Sequence, residues 1–181
     1  MTVVNALPRR PLTVDDLEGM PDDGHRYELI DGTLIVSPGP AVPHQRVVSR
    51  LLQLLFSAQT DEVEVFTAPL DVRLADDTQV QPDILVVARE AAAGRTIEAA
   101  PLLAVEVLSP STKLIDLNLK KARYERAGVA SYWVVDPDDG RLIAWELRDG
   151  RYAKVADILS GQEWTAAAPF PVTVRPATLS N

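Results

Sequence analysis

Two acids stand where the surrounding sequence calls for apolar side chains. Asp83 opens QPDILVV, and Glu106 interrupts LLAVEVL, a run that otherwise reads as a fully buried strand. An ionised carboxylate in a buried strand is costly unless it is paired or binds a metal. Neighbouring strands lie about 4.8 Å apart, so carboxylates from two adjacent strands can converge on one edge of a sheet. Two carboxylates joined by carbonyl and water oxygens suit a hard divalent ion, Mg2+ or Mn2+. Alternation puts Ala104, Glu106 and Leu108 on one face and Leu103, Val105 and Val107 on the other. Val107 can therefore reach such an ion through its carbonyl but not its side chain.

The site also needs a cation to meet developing negative charge, and the chain supplies one at once. Only four of its eighteen cations are lysine, and three of these, Lys113, Lys120 and Lys121, fall within nine residues after the Glu106 strand. Lysine is the cation whose pKa moves readily on burial. Asp116, Lys120 and Tyr124 recur at i, i+4 and i+8, on a single stripe of one helix.

Each residue also has a plainer reading. Asp83 follows a proline and fits a turn at a strand start. Glu106 fits a salt bridge to a buried arginine. Lys120 fits an exposed pair with Asp116, worth about 0.3–0.5 kcal/mol. Glu28 fits an ordinary surface acid of a hairpin strand, His44 a helix-start cap or packing residue, and His25 a loop. Lys113 and Lys121 fit solvated cations. Tyr124, Tyr132 and Trp133 fit the core, and Asp138-Asp139 fits a turn.

The elements that must position these groups follow from punctuation and periodicity. Thr13 and Asp16 form a weak capping box before a short helix Val14–Met20. Asp31-Gly32 between apolar runs marks a hairpin of Tyr27–Ile30 and Thr33–Ser37. Val47, Val48, Leu51, Leu52, Leu55 and Ala58 recur at helical spacing within His44–Gln59. Val63–Leu74 reads as a strand bent at Pro69, Pro82–Ala88 and Leu102–Leu108 as buried strands, and Arg89–Ala100 as a loose helical loop. A helix Lys113–Ala127 ends at Gly128. Ser131–Asp136 is a further strand, and Arg141–Leu147 with Tyr152–Ile158 flank Asp149-Gly150 as a second hairpin. Ala168–Asn181 reads as irregular or an edge strand.

The 181 residues are expected to form a flexible N-terminal arm over 1–11 and one domain over 12–181. Zero cysteines excludes disulfides and thiolate metal sites and makes the cytoplasm the natural expectation. No apolar run approaches the roughly 20 residues of a membrane span, and no secretory signal opens the chain. A net charge of −8 argues against binding built on nonspecific phosphate contacts. It leaves room for a local positive group beside acidic ones.

RYELIDGTL, the helix beginning at His44, QPDILVV, VEVLSPST and DLNLKKARYERAGVASYWVVDP together resemble the Uma-type restriction endonucleases, a branch of the PD-(D/E)XK nuclease superfamily. The resemblance spans roughly residues 26–136. It implies an α/β fold with a restriction-endonuclease-like core, a mixed β-sheet flanked by helices, here with extra N- and C-terminal β-hairpins. It further implies a Mg2+- or Mn2+-dependent endonuclease acting on a nucleic acid, DNA first, with Asp83 and Glu106 holding the metal and Glu28 completing or supporting the shell. The superfamily's lysine two residues after the acid is Leu108 here, and the resemblance makes Lys120 its counterpart. Ser131 replaces an acid usual before Tyr-Trp. A homodimer would suit cutting both strands, with SYWVV or the C-terminal strands as the interface. A catalytically silent module binding proteins through its acidic surface is the competing class. A carboxylate-pair glycosidase needs exposed aromatics that the chain lacks.

Overall fold

The protein is described by a computed structural model covering residues 10–180; most of the arm expected at 1–11 lies outside the described residues. Thr13 and Asp16 form the expected capping box, with the Asp16 carboxylate accepting from the Thr13 N–H at 2.8 Å. The turn they start, Val14–Gly19, is 3-10 and shorter than the expected helix.

Strands β1 (Arg26–Ile30) and β2 (Thr33–Ser37) form the first hairpin. Asp31 and Gly32 both have positive φ, 49° and 73°, which the tight two-residue turn requires. Helix α1 (Val42–Ala58) carries Pro43 in its first turn, where a missing N–H costs nothing. Next come β3 (Val63–Thr67), β4 (Val72–Ala75), β5 (Thr78–Val80), β6 (Ile84–Ala88) and β7 (Leu103–Val107). The single bent strand expected over Val63–Leu74 is instead two strands in different sheets, divided around Pro69. Arg89–Ala100 holds only one 3-10 turn, and its Ile97 bridges to Val72.

The helix expected over Lys113–Ala127 is present but not uniform. Its middle, Ile115–Lys120, is π-helical, and α2 (Lys121–Ala127) is regular. Gly128, at φ 83°, takes the left-handed position that ends it. The chain continues with β8 (Ser131–Asp136), β9 (Arg141–Arg148), β10 (Arg151–Leu159), β11 (Trp164–Ala166), β12 (Val172–Val174) and α3 (Pro176–Ser180). The C-terminal stretch is thus more ordered than expected: β12 pairs with β11, and α3 packs against α1.

The main sheet has the order β10-β9-β8-β7-β6-β3, with β7 and β8 parallel and every other pair antiparallel. A four-stranded antiparallel sheet, β2-β1-β5-β4, stands beside it. One face of the main sheet receives Val47, Val48, Leu51 and Leu55 of α1 against Val65, Ile84, Val105 and Trp133. Burying each such side chain stabilises the fold by about 1.5–3 kcal/mol. The other face packs Leu85, Ala104 and Val134 against Tyr124 and Val129. Val105 and Ala104 fall on opposite faces, as alternation required, which commits Glu106 to the α2 side. Ser131–Val135 is fully buried at the centre of the sheet, so SYWVV cannot supply a dimer interface. Among the described residues, no helix is long and apolar enough to cross a membrane.

Candidate active site

The site forms where the β6–β7 ladder ends. Ile84 faces Val105 as the last pair, so one more step of that register sets Asp83 against Glu106. Instead of a backbone carbonyl, the Asp83 carboxylate meets β7 there: Oδ2 accepts the Val107 N–H at 2.8 Å. The crossover from β7 to its parallel neighbour β8 runs through the π segment and α2, bringing that helix over the carboxyl end of β7. This is the position where open α/β sheets place ligands.

Lys120 descends from the helix into a set of acids. Its Nζ lies 2.9 Å from Glu28 Oε1, 3.1 Å from Glu106 Oε1 and 3.7 Å from Asp116 Oδ1. The Tyr124 hydroxyl donates to Glu106 Oε1 at 2.8 Å, and the Gln81 N–H donates to Glu28 Oε1 at 2.8 Å. Lys120 is 3% exposed, which rules out the solvated Asp116 pair as its setting. Glu28 is buried too, so it is not a surface acid. The expected stripe Asp116, Lys120, Tyr124 exists and faces inward, and the π-helical turn covers two of its three members. Such turns concentrate at functional sites. Asp83, Glu106, Lys120, Glu28 and Val107 all line one cavity of about 390 Å3.

Sequence reasoning missed Arg26 and set a ligand role for His44 below capping or packing. Arg26 donates from both terminal nitrogens to Asp83 Oδ1, each at 3.1 Å, and His44 Nε2 lies 3.0 Å from Asp83 Oδ2. The arginine partner weighed for Glu106 therefore serves Asp83 instead, from a half-buried position. Arg26 and Glu28 are two apart on one strand, so alternation alone would have put them on one face. Nothing local marked His44. Lys113 pairs with Asp136 at 2.7 Å, and Lys121 lies over the Trp145 ring at 5.1 Å. Lys113 stays exposed, as the solvated reading expects, while Lys121 is half-buried.

Charge explains the protonation pattern. Burial raises the Glu106 carboxyl well above its ordinary range, and repulsion from Asp116, Asp83 and Glu28 adds to it, against the pull of Lys120. Burial likewise lifts Asp116 to about 6. Burial disfavours a charged Lys120, but Glu106, Glu28 and Asp116 outweigh it and keep the ammonium protonated. Burial also opposes ionisation of Asp83; hydrogen bonding and charge from His44 and Arg26, with the Val107 N–H, win, and its carboxyl falls below the usual value. Five acids, Glu28, Asp83, Glu106, Asp116 and Asp138, thus share the cavity with two cations, Lys120 and Arg26.

Asp83 and Glu106 are the residues that fit a divalent cation. Among the described residues no three His, Cys, Asp or Glu side chains converge to cage a metal unaided. Mg2+ is ordinarily held by one or two carboxylates with water and substrate oxygens completing the shell, which matches an all-oxygen pair.

The sequence profile of a family designated Uma2, described as a putative restriction endonuclease, matches residues 14–179. No curated protein matches the chain. Among solved structures, the fold resembles a protein from Anabaena variabilis ATCC 29413 described as a putative nuclease belonging to DUF820. The TM-score is 0.69 at 20% identity, over 80% of this chain and 84% of that one.

Proposed function

The chain belongs to the Uma2 family of restriction-endonuclease-like proteins, and from that premise we propose that it is a metal-dependent endonuclease hydrolysing phosphodiester bonds of DNA. Asp83 and Glu106 would hold Mg2+ or Mn2+, with the Val107 carbonyl as a third protein oxygen. When bound, that ion polarises the phosphoryl oxygens and lowers the pKa of a coordinated water. Asp83 comes to this task as a carboxylate, because Arg26 and the Val107 N–H stabilise its charge.

Lys120 brings a charged ammonium to the scissile phosphate. Glu28 and Asp116 hold it from two sides, so little side-chain freedom remains to be lost when charge builds on the phosphoryl group. Glu28 acts here through Lys120, and its own position is set by the Gln81 N–H. Tyr124 donates to the same Glu106 oxygen that Lys120 contacts and helps fix that carboxyl.

The observation that carries this reading is the surplus of buried carboxylates around one ammonium at the end of two strands. A fold selected only for stability would do better with apolar residues there. A nuclease-fold module that binds a protein partner and cleaves nothing is favoured by the net charge of −8. Supercoiled plasmid with Mg2+ or Mn2+ separates the two. Nicking or linearisation by the wild type, absent in Glu106→Gln and Asp83→Asn proteins of unchanged circular dichroism, is the expected result. Equal cleavage by all three proteins refutes the assignment.

A further inference from the structure

We infer that His44 is a positioning residue that fixes the Asp83 carboxylate, donating to it from Nε2. This rests on the reading of Asp83 given above. Asp83 belongs to no regular element: it stands between β5 and β6, and its side chain depends on outside contacts for its orientation. Four donors provide them. Both Arg26 terminal nitrogens reach Oδ1, and His44 Nε2 with the Val107 N–H reach Oδ2. Each carboxylate oxygen thus receives two donors, which fixes the plane of the group.

The histidine is built for this contact. Its ring hangs from the first turn of α1, whose backbone Pro43 helps fix and whose next turns are anchored in the core by Val47 and Val48. A group carried on a rigid helix holds position better than one on a loop. An ionised carboxylate can only accept, so the hydrogen in the 3.0 Å contact belongs to Nε2. The other ring nitrogen, Nδ1, is buried and has no hydrogen-bond partner. A buried N–H without a partner is dearer than a bare lone pair. The surroundings therefore select the Nε2–H tautomer.

His44 also stands at a boundary. Arg26, Asp83 and His44 line both the 390 Å3 cavity and an adjoining trough of about 1240 Å3, so the three side chains form part of the wall between them. Losing His44 leaves Oδ2 with one donor and opens that wall on one side.

Two measurements test the inference. Long-range 1H–15N correlation on metal-free protein at neutral pH is expected to show a proton on His44 Nε2. An Nε2 without a proton overturns the inference, whatever the protein cleaves. In the cleavage assay, His44→Ala is expected to lower kcat about 10–100-fold, the usual effect of removing a group that orients a ligand, with KM little changed. His44→Gln, which can place an amide N–H near Asp83, should recover most of the loss. His44→Ala cleaving like wild type, while Asp83→Asn is inactive, overturns the positioning role and leaves the nuclease reading standing. If no protein cleaves, the nuclease reading fails and the Nε2 proton alone decides for His44.

Discussion

The ammonium of Lys120 lies 3.1 Å from Glu106 Oε1 in a setting where both side chains are almost wholly removed from water. Fourteen residues and a change of element separate them in the chain. Their meeting is made by the β7-to-β8 crossover, which folds the π segment back over the strand that carries Glu106. Because Glu28 and Asp116 crowd the same ammonium, the pair is an unequal cluster and not a simple ion pair. The account predicts consequences for stability, pH response and cleavage.

Removing the cation should expose that inequality. Lys120→Met keeps much of the side-chain bulk and leaves three buried acids facing one another. A loss of about 3–5 kcal/mol is expected, the usual result of breaking a buried pair from one side. Urea unfolding with constant slope measures it, and added Mn2+ should restore part of the loss. A change below about 1 kcal/mol would mean that the acids are better solvated than their burial implies.

The pH response follows from Asp116. Its folded-state pKa is raised, from 3.8 to about 6. The folded chain therefore keeps a proton that the unfolded chain has released. Stability is fully present below about pH 4 and is lost as pH rises through 6, by up to about 3 kcal/mol. Asp83 works in the opposite sense, but its lowered pKa places its effect in more acidic solution, where stability is lost as pH falls. Urea midpoints between pH 4.5 and 7.5 should fall with rising pH in the wild type and fall less in Asp116→Asn, where the raised Glu106 carboxyl still acts in the same sense.

Tyr124→Phe deletes only the hydroxyl that donates to Glu106 at 2.8 Å. Leaving one partner of a buried hydrogen bond unsatisfied costs about 1–3 kcal/mol, and destabilisation in that range is expected. Cleavage should fall much less than in Lys120→Met, because Lys120 still holds Glu106. Parallel thermal melts and plasmid assays check both halves.

Gly128 serves as a control remote from the chemistry. At φ 83° it ends α2 in a conformation that a Cβ disfavours, although nothing crowds the position. Gly128→Ala should cost about 1 kcal/mol in thermal unfolding and leave the plasmid assay unchanged.

Much of the site was legible because its residues violate the pattern around them. An acid inside LLAVEVL and a lysine cluster in an arginine-preferring chain are anomalies of local text. Strand alternation then sent Glu106 to the correct face, and helical spacing aligned Asp116, Lys120 and Tyr124. The hairpins at Asp31-Gly32 and Asp149-Gly150 were legible from turn chemistry alone. What escaped was tertiary. The Arg26 and His44 contacts to Asp83 close over 57 and 39 residues, and no local rule reports such distances. The π-helical turn has no propensity signature, and the burial of SYWVV depends on β9 and β10 extending the sheet beyond it.

The central claim is that the buried acids are tolerated because a divalent cation shares their pocket. Crystals soaked in Mn2+ and measured at the manganese absorption edge test it most directly. The account predicts an anomalous peak within coordination distance of both the Asp83 and Glu106 carboxylates, beside the Lys120 ammonium. A fully soaked crystal with no peak between those two carboxylates, or with manganese bound only elsewhere, would contradict it.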